Sequence, residues 1–128
     1  MFAHSPAFSG FSVDDADAAR AFYRDVLGLS VEDTGPGILR ITLGGGSHVI
    51  AYAKADHAPA TFTVLNFSVD DIDAAVDALA ARNVALLRYD GLGQDERGIS
   101  RGRAHGWGPD IAWFTDPAGN ILSVLHDG

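Results

Sequence analysis

The feature that most constrains this chain is a stretch that occurs twice. Phe11-Ser12-Val13-Asp14-Asp15-Ala16-Asp17-Ala18-Ala19 returns as Phe67-Ser68-Val69-Asp70-Asp71-Ile72-Asp73-Ala74-Ala75, and one position of the nine differs. A match of this length is an internal duplication, a signal to be read before any other. Two copies in 128 residues are too few for a solenoid and suit two sibling modules around a shared surface. Within each copy, Phe-Ser-Val alternates apolar and polar residues, as the end of a half-buried strand does. The Asp residues that follow can accept hydrogen bonds from the first free amides of a helix and complement its dipole. Each copy therefore reads as strand, acidic cap, helix, and these carboxylates are assigned to capping rather than to a catalytic pair.

The remaining elements follow from periodicity. A strand is predicted over residues 7–13, with Phe11 and Val13 on one face and Phe8, Gly10 and Ser12 on the other. A helix from about Asp15 to Leu27 carries Ala19, Phe22, Tyr23, Val26 and Leu27 as its apolar stripe, and Gly28 ends it. Gly35-Pro36-Gly37 is a turn before a strand from Ile38 to Leu43. Gly44-Gly45-Gly46 leads into another strand, Ser47 to Lys54, so it is a hairpin turn and not a phosphate loop, which would open a helix. After a connector containing Pro59, the second module begins with a strand from Thr61 to Val69 and a helix from about Asp71 to Arg82. Ile72, Ala75, Val76, Leu79 and Ala80 form that helix's buried stripe, and Asn83 takes the left-handed position after it. Val84 to Asp90 is read as a strand, Gly91 to Asp110 as a long irregular loop, and Ile111 to Thr115 and Asn120 to His126 as the last strands. Loops of that length in compact domains are commonly lids or binding loops.

The expected fold class is α+β, a single domain over residues 1–128. Module 1 covers about residues 7–54 and module 2 about 61–126, each running strand, helix, three strands. One face of each sheet lies under its helix; the opposite faces are expected to curve into a cup that takes a small ligand. The formal charge of −8 argues against nucleic acid, whose phosphates attract Lys and Arg. The absence of cysteine excludes disulfides, a thiolate nucleophile and a cysteine zinc site. With no signal-peptide pattern and no apolar run of bilayer length, a cytoplasmic protein without membrane contact is expected.

Three motifs carry a likeness to a known family: Ala21-Phe22-Tyr23-Arg24-Asp25-Val26-Leu27-Gly28-Leu29, the repeat Val69-Asp70-Asp71-Ile72-Asp73-Ala74-Ala75, and Asp116-Pro117-Ala118-Gly119-Asn120 before a strand. In this order, and across nearly the whole chain, they resemble the vicinal oxygen chelate superfamily. That group includes lactoylglutathione lyases, extradiol dioxygenases, fosfomycin-modifying enzymes and bleomycin-resistance proteins. The resemblance implies paired βαβββ modules forming a cup-like sheet, the glyoxalase-like fold, commonly in a homodimer. It also implies a divalent metal held by His or Glu from the first and last strands of each module. At the matching positions this chain has Phe8, Val64, Ser123, and Ile50 or Tyr52 according to register, none a good metal ligand. Its two glutamates, Glu32 and Glu96, read as loop residues or strand beginnings. His48 and His105 are the residues from which an improvised site would be built; no metal or other cofactor is expected.

By strand alternation the ligand-facing set comprises Phe8, Ser12, Tyr52, Val64, Asn66, Ser68, Trp113 and Ser123, with Gly10, Ile50, Ile121 and Leu125 between them. This face is read as having no Asp or Glu, and its titratable groups are Tyr52 and, by alternation with Ile50, His48. This lining suits an apolar or aromatic small molecule. Arg101, Arg103 and Trp107 in the long loop form a candidate lid, whose arginines either meet an anionic group or pair with Asp95 and Glu96. Metal-independent small-molecule binding is the leading expectation. The alternatives are a lyase, isomerase or dioxygenase with a non-standard or absent metal, and a structural dimerisation module whose cup its own side chains fill.

Overall fold

A computed structural model describes all residues, 1–128. The chain divides into two compact units, Met1–Pro59 and Ala60–Gly128, and the duplicated stretch opens each.

Unit 1 begins with strand β1 (Ser9–Val13) and helix α1 (Ala16–Ala21), which continues as a π-helical turn over Phe22–Val26. The Asp15 carboxylate caps α1, accepting hydrogen bonds from the amides of Asp17 (2.9 Å) and Ala18 (3.1 Å). The underwound turn is marked by the Leu27 amide reaching back to the Phe22 carbonyl, and Gly28 leaves it at φ +74°. Strands β2 (Ser30–Gly35), β3 (Ile38–Thr42) and β4 (His48–Ala53) follow, and the sheet order is β1-β4-β3-β2. β1 runs parallel to β4, while the other neighbours are antiparallel. Phe11, Val13, Leu39, Ile41, Val49 and Ala51 are buried with Ala19, Phe22 and Tyr23, so one sheet face is sealed by helix. Phe22 and Tyr23 meet edge to face with centroids 5.3 Å apart.

Unit 2 repeats the opening: β5 (Thr63–Ser68), then α2 (Ile72–Ala81), capped by Asp71 through the Ala74 amide (3.0 Å). Asn83 takes φ +61°, the left-handed geometry that ends the helix. Two-residue β6 (Ser100–Arg101), one-turn α3 (Gly102–His105), β7 (Asp110–Thr115) and β8 (Ile121–His126) complete it, in sheet order β5-β8-β7-β6. β5 is parallel to β8, and the remaining pairs are antiparallel. Ile72, Val76 and Leu79 of α2 and Ala112, Phe114, Leu122 and Val124 of the sheet are buried.

Four expectations need correction. Residues 30–35 form a strand, β2, which places Glu32 inside a ladder opposite Arg40. Residues 84–90 are not a strand: they are tied to β7 by a hydrogen bond from the Leu87 amide to the Trp113 carbonyl (2.8 Å), without a ladder. The apolar run Val84–Leu87 is compatible with a strand locally, but β6 takes the pairing beside β7. The loop from Gly91 to Asp110 is partly regular, since β6 and α3 lie within it. Finally, Ala80 is exposed, and the α2 stripe is carried by Ile72, Val76 and Leu79.

Candidate ligand-binding site

In unit 1, the face of the sheet away from α1 is set by register. Gly10 and Ser12 lie beside Ile50 and Tyr52, and Ile50 and Tyr52 lie beside Arg40 and Ile38. Tyr52 is 39% exposed. Phe8 stands one residue before β1, also exposed, with its ring stacked on His48 at 5.0 Å between centroids. The Ser12 hydroxyl is 2.6 Å from His57 Nδ1, which holds the connector against the end of β1.

Sequence reasoning missed two residues on this face. Arg40 alternates with the buried Leu39 and Ile41, and its cross-strand neighbour is Glu32, so both project from the helix-free side. The expectation of a face without Asp or Glu is therefore wrong for unit 1. The apolar positions 39 and 41 were the signal for Arg40. Glu32 needed β2 and its register, which no local pattern announced.

In unit 2, the corresponding face carries a lateral row: Asn66 on β5, Ser123 on β8 and Trp113 on β7. Ser123 is fully buried and donates its hydroxyl hydrogen bond to the Asn66 carboxamide oxygen at 2.6 Å. That contact orients Asn66, itself exposed, so that its NH2 group is the end left to donate. Ser123 thus supports the row from beneath instead of presenting itself at the surface. Tyr89 meets Trp113 edge to face at 5.3 Å. Val64 is half-buried and Ser68 exposed on the same strand face.

The loop residues separate into two groups. Arg101 donates to Asp95 at 3.0 Å and to Asp73 of α2 at 2.8 and 3.1 Å, while Arg97 binds Asp73 at 2.6 Å and Asp77 as well. The hydrogen bond from Arg101, followed by opposition from burial and attraction to both arginines, holds the Asp73 carboxyl below the usual carboxylate range. Burial pushes Asp95 upward, yet hydrogen bonds from the Ile99 amide, Arg101 and the Arg97 amide together bring it below its ordinary value. Arg101 is therefore a tether between loop and helix. Trp107 is 65% exposed and stacked on His105 at 4.4 Å. Arg103 anchors the end of the loop through its backbone, the amide donating to Asp110 at 3.1 Å.

The positions at which the resemblance places metal donors hold Phe8, Val64, Ser123 and Ile50 or Tyr52. Two hydrocarbon side chains, a hydroxyl engaged with Asn66 and a phenol are not the His and carboxylate set that binds a divalent ion. No group of three or more His, Cys, Asp or Glu side chains comes together to hold a metal. His48 and His105 are each stacked on an aromatic ring, and His126 Nδ1 lies 2.9 Å from the Val69 carbonyl. The residues present do not fit the family's usual metal.

The duplicated βαβββ order and the two mixed sheets agree with the comparison to known families. Residues 7–124 match the Glyoxalase/Bleomycin resistance protein/Dioxygenase superfamily. This chain belongs to that superfamily. Among solved structures, a glyoxalase family protein from Bacillus anthracis is 15% identical, with full coverage of both chains and a TM-score of 0.70. The superfamily fold is shared by TnmS3, an antibiotic binding protein from Streptomyces sp. CB03234, at 24% identity, 98% coverage of each chain and a TM-score of 0.67. Lactoylglutathione lyase from Agrobacterium tumefaciens is 22% identical over 97% of this chain and 95% of its own, with a TM-score of 0.64. At these identities the likeness is one of fold. No curated protein matches the sequence. No helix is long and apolar enough to cross a membrane.

Proposed function

We propose that this superfamily member binds a small apolar or aromatic molecule on the helix-free faces of its sheets without the divalent metal common in the family. The observation that carries the proposal is the substitution of the metal-donor positions by Phe8, Val64, Ser123 and Ile50 or Tyr52. The same faces offer aromatic surface from Phe8, Tyr52 and Trp113 and neutral hydrogen-bonding groups from Ser12, Asn66 and Ser68. Aromatic walls with few polar groups suit compounds held by area and orientation instead of charge. The fold shared with an antibiotic binding protein is consistent with that role. We propose further that the protein is a homodimer, the state its family resemblance implies, and that it works in the cytoplasm.

Native mass spectrometry of gently purified protein, without added metal or chelator, tests this reading. A metal-free dimer carrying an organic adduct is expected. About one transition metal per chain would overturn the metal-free assignment. Asn66→Leu combined with Tyr52→Phe is expected to remove the adduct while preserving the circular dichroism spectrum.

One observation favours a second reading, a metal-free lyase or isomerase. Glu32 and Arg40 place a carboxylate and a cation side by side on the helix-free face of unit 1, and acid–base catalysis needs such groups within reach of a substrate. Turnover abolished by Glu32→Gln with binding unchanged would establish it.

A further inference from the structure

The two units differ most at the edge of the sheet formed after the helix. In unit 1, β2 and β3 close directly through Gly35–Gly37. In unit 2 the chain instead leaves residues 84–90, wanders through Gly91–Ile99, and returns as β6 and α3. That detour lines an open pocket of about 420 Å³, bounded by Gly91, Leu92, Ser100, Gly102, Trp107, Pro109 and Ile111. We infer that this pocket takes a neutral, planar aromatic compound, with Trp107 as its stacking wall. The pocket adjoins the helix-free face of unit 2, on which Ile111 lies beside Ser100 and Leu125, so the inference deepens the proposed function and rests on it, adding Leu92, Trp107 and Pro109 as walls.

The size lies within the range of small-molecule pockets, roughly 300–1,000 Å³. The chemistry of the lining selects the ligand. Leu92, Pro109, Ile111 and the Trp107 indole supply apolar surface, and none of the lining residues is charged. The neighbouring cation Arg101 is already neutralised by Asp73 and Asp95. An ionic ligand would lose its hydration here and gain no counter-charge. A flat aromatic ring recovers apolar burial and stacking on the indole.

The walls are held in place before any ligand arrives, which lowers the ordering cost of binding. The Ser100 hydroxyl donates to the Leu92 carbonyl at 3.0 Å. Gln94 receives the Tyr89 amide at 2.7 Å and donates to the Leu87 and Gly98 carbonyls, each at 2.8 Å. The Trp107 amide bonds the Gly102 carbonyl at 2.9 Å. A Cβ at Gly102 would stand 2.5 Å from the Pro109 carbonyl oxygen, and one at Gly93 would stand 2.9 Å from the Trp107 ring. Backbone thus closes tightly around the pocket and sets the indole, while most of the indole surface stays exposed.

Indole is a suitable probe: neutral, planar and soluble. Titrated into 15N-labelled protein, it is expected to give a saturable shift of the Trp107 side-chain N–H. Trp107→Ala should weaken the fitted affinity about tenfold or more, whereas Trp107→Phe should stay within about threefold. Leu92→Ser tests a second wall independently and should also weaken binding, which keeps the test decisive if Trp107→Ala is poorly folded. Asn66→Leu should leave the affinity unchanged. Absence of saturable binding, or binding unaltered by Trp107→Ala and Leu92→Ser, overturns the inference. Shifts confined to Trp113 and Asn66 and removed by Asn66→Leu would also overturn it, while leaving the proposed function standing.

Discussion

Unit 1 and unit 2 start from nearly the same nine residues and finish differently. In unit 1 the repeat's Val13 is fully buried, and the helix it leads into loosens into a π-helical turn around Phe22 and Tyr23. In unit 2 the matching Val69 is half-buried, and the helix stays regular to Ala81. The sheet of unit 1 is four strands of five or six residues. That of unit 2 has a two-residue edge strand and a long structured loop. Strand, cap and helix are shared because they are specified locally. The divergence lies at one sheet edge, where a longer connection changes the local surface without disturbing the central ladders. Duplicated folds have room to specialise there, since loops tolerate insertion far better than cores.

The comparison can be tested first in the cores. Tyr23 and Leu79 occupy the same register of the repeat and are both buried. Tyr23→Ala is expected to lose about 3–5 kcal/mol and Leu79→Ala about 2–5 kcal/mol in urea denaturation. Near-equal losses with unchanged m-values would mean that the two units unfold together. Two resolved transitions, each sensitive to one substitution, would mean that they unfold separately.

A smaller effect is expected at the hairpins that join the last two strands of each unit. In unit 2 the buried Asp116 accepts from the amides of Ala118 (3.0 Å) and Asn120 (2.9 Å) and from the Asn120 side chain (3.2 Å). Asn120 in turn accepts from the Ala60 amide at 3.1 Å, tying the start of the unit to its last turn. Asp116→Ala leaves those donors without their acceptor and should cost about 1–3 kcal/mol or more by chemical denaturation. The equivalent turn of unit 1 relies on glycine: Gly45 sits at φ +86° with open space around it. Gly45→Ala should cost about 1–2 kcal/mol, a backbone penalty alone.

The smallest effect concerns pH. Asp73 and Asp95 both have folded-state values below the ordinary carboxylate range, so their contribution to stability is complete above about pH 4. It is lost as pH falls further and the carboxylates take up protons that the arginine contacts disfavour. Amides of residues 97–101 should lose hydrogen-exchange protection on acidification before those of β3 and β4 do. Asp73→Asn should weaken that protection at neutral pH and flatten its acid dependence. Equal protection of the loop and of β3 and β4 at every pH would show that the tether adds nothing.

Much of the fold was legible because its signals are short-range. Asp15 and Asp71 cap helices, Gly28 and Asn83 end them, and alternation around Phe11, Leu39 and Val124 divides the buried face from the other. Pairing was less legible. β2 escaped notice because Ser30–Gly35 is mostly polar, lying at an edge where only one neighbour and little core demand apolar residues. Residues 84–90 carried the opposite error, an apolar run without a ladder to join. The candidate site inherits both limits: Tyr52, Asn66 and Trp113 could be placed on a face from parity, while Glu32 required register. The burial of Ser123 under its own hydrogen bond could not be read from parity at all.

What the sequence by itself determined is the duplicated strand-cap-helix plan, the superfamily, and the replacement of the expected metal donors. Each depends on residue identity and near-neighbour spacing, which act over a few residues. Only the tertiary structure decided that Glu32 stands beside Arg40, that Arg97 and Arg101 are clamped to α2, and that the 91–111 segment lines an open pocket. These depend on which distant segments meet and in what register. Such choices are made by competition among whole-chain packings, where the gain from burial and paired hydrogen bonds outweighs local preference.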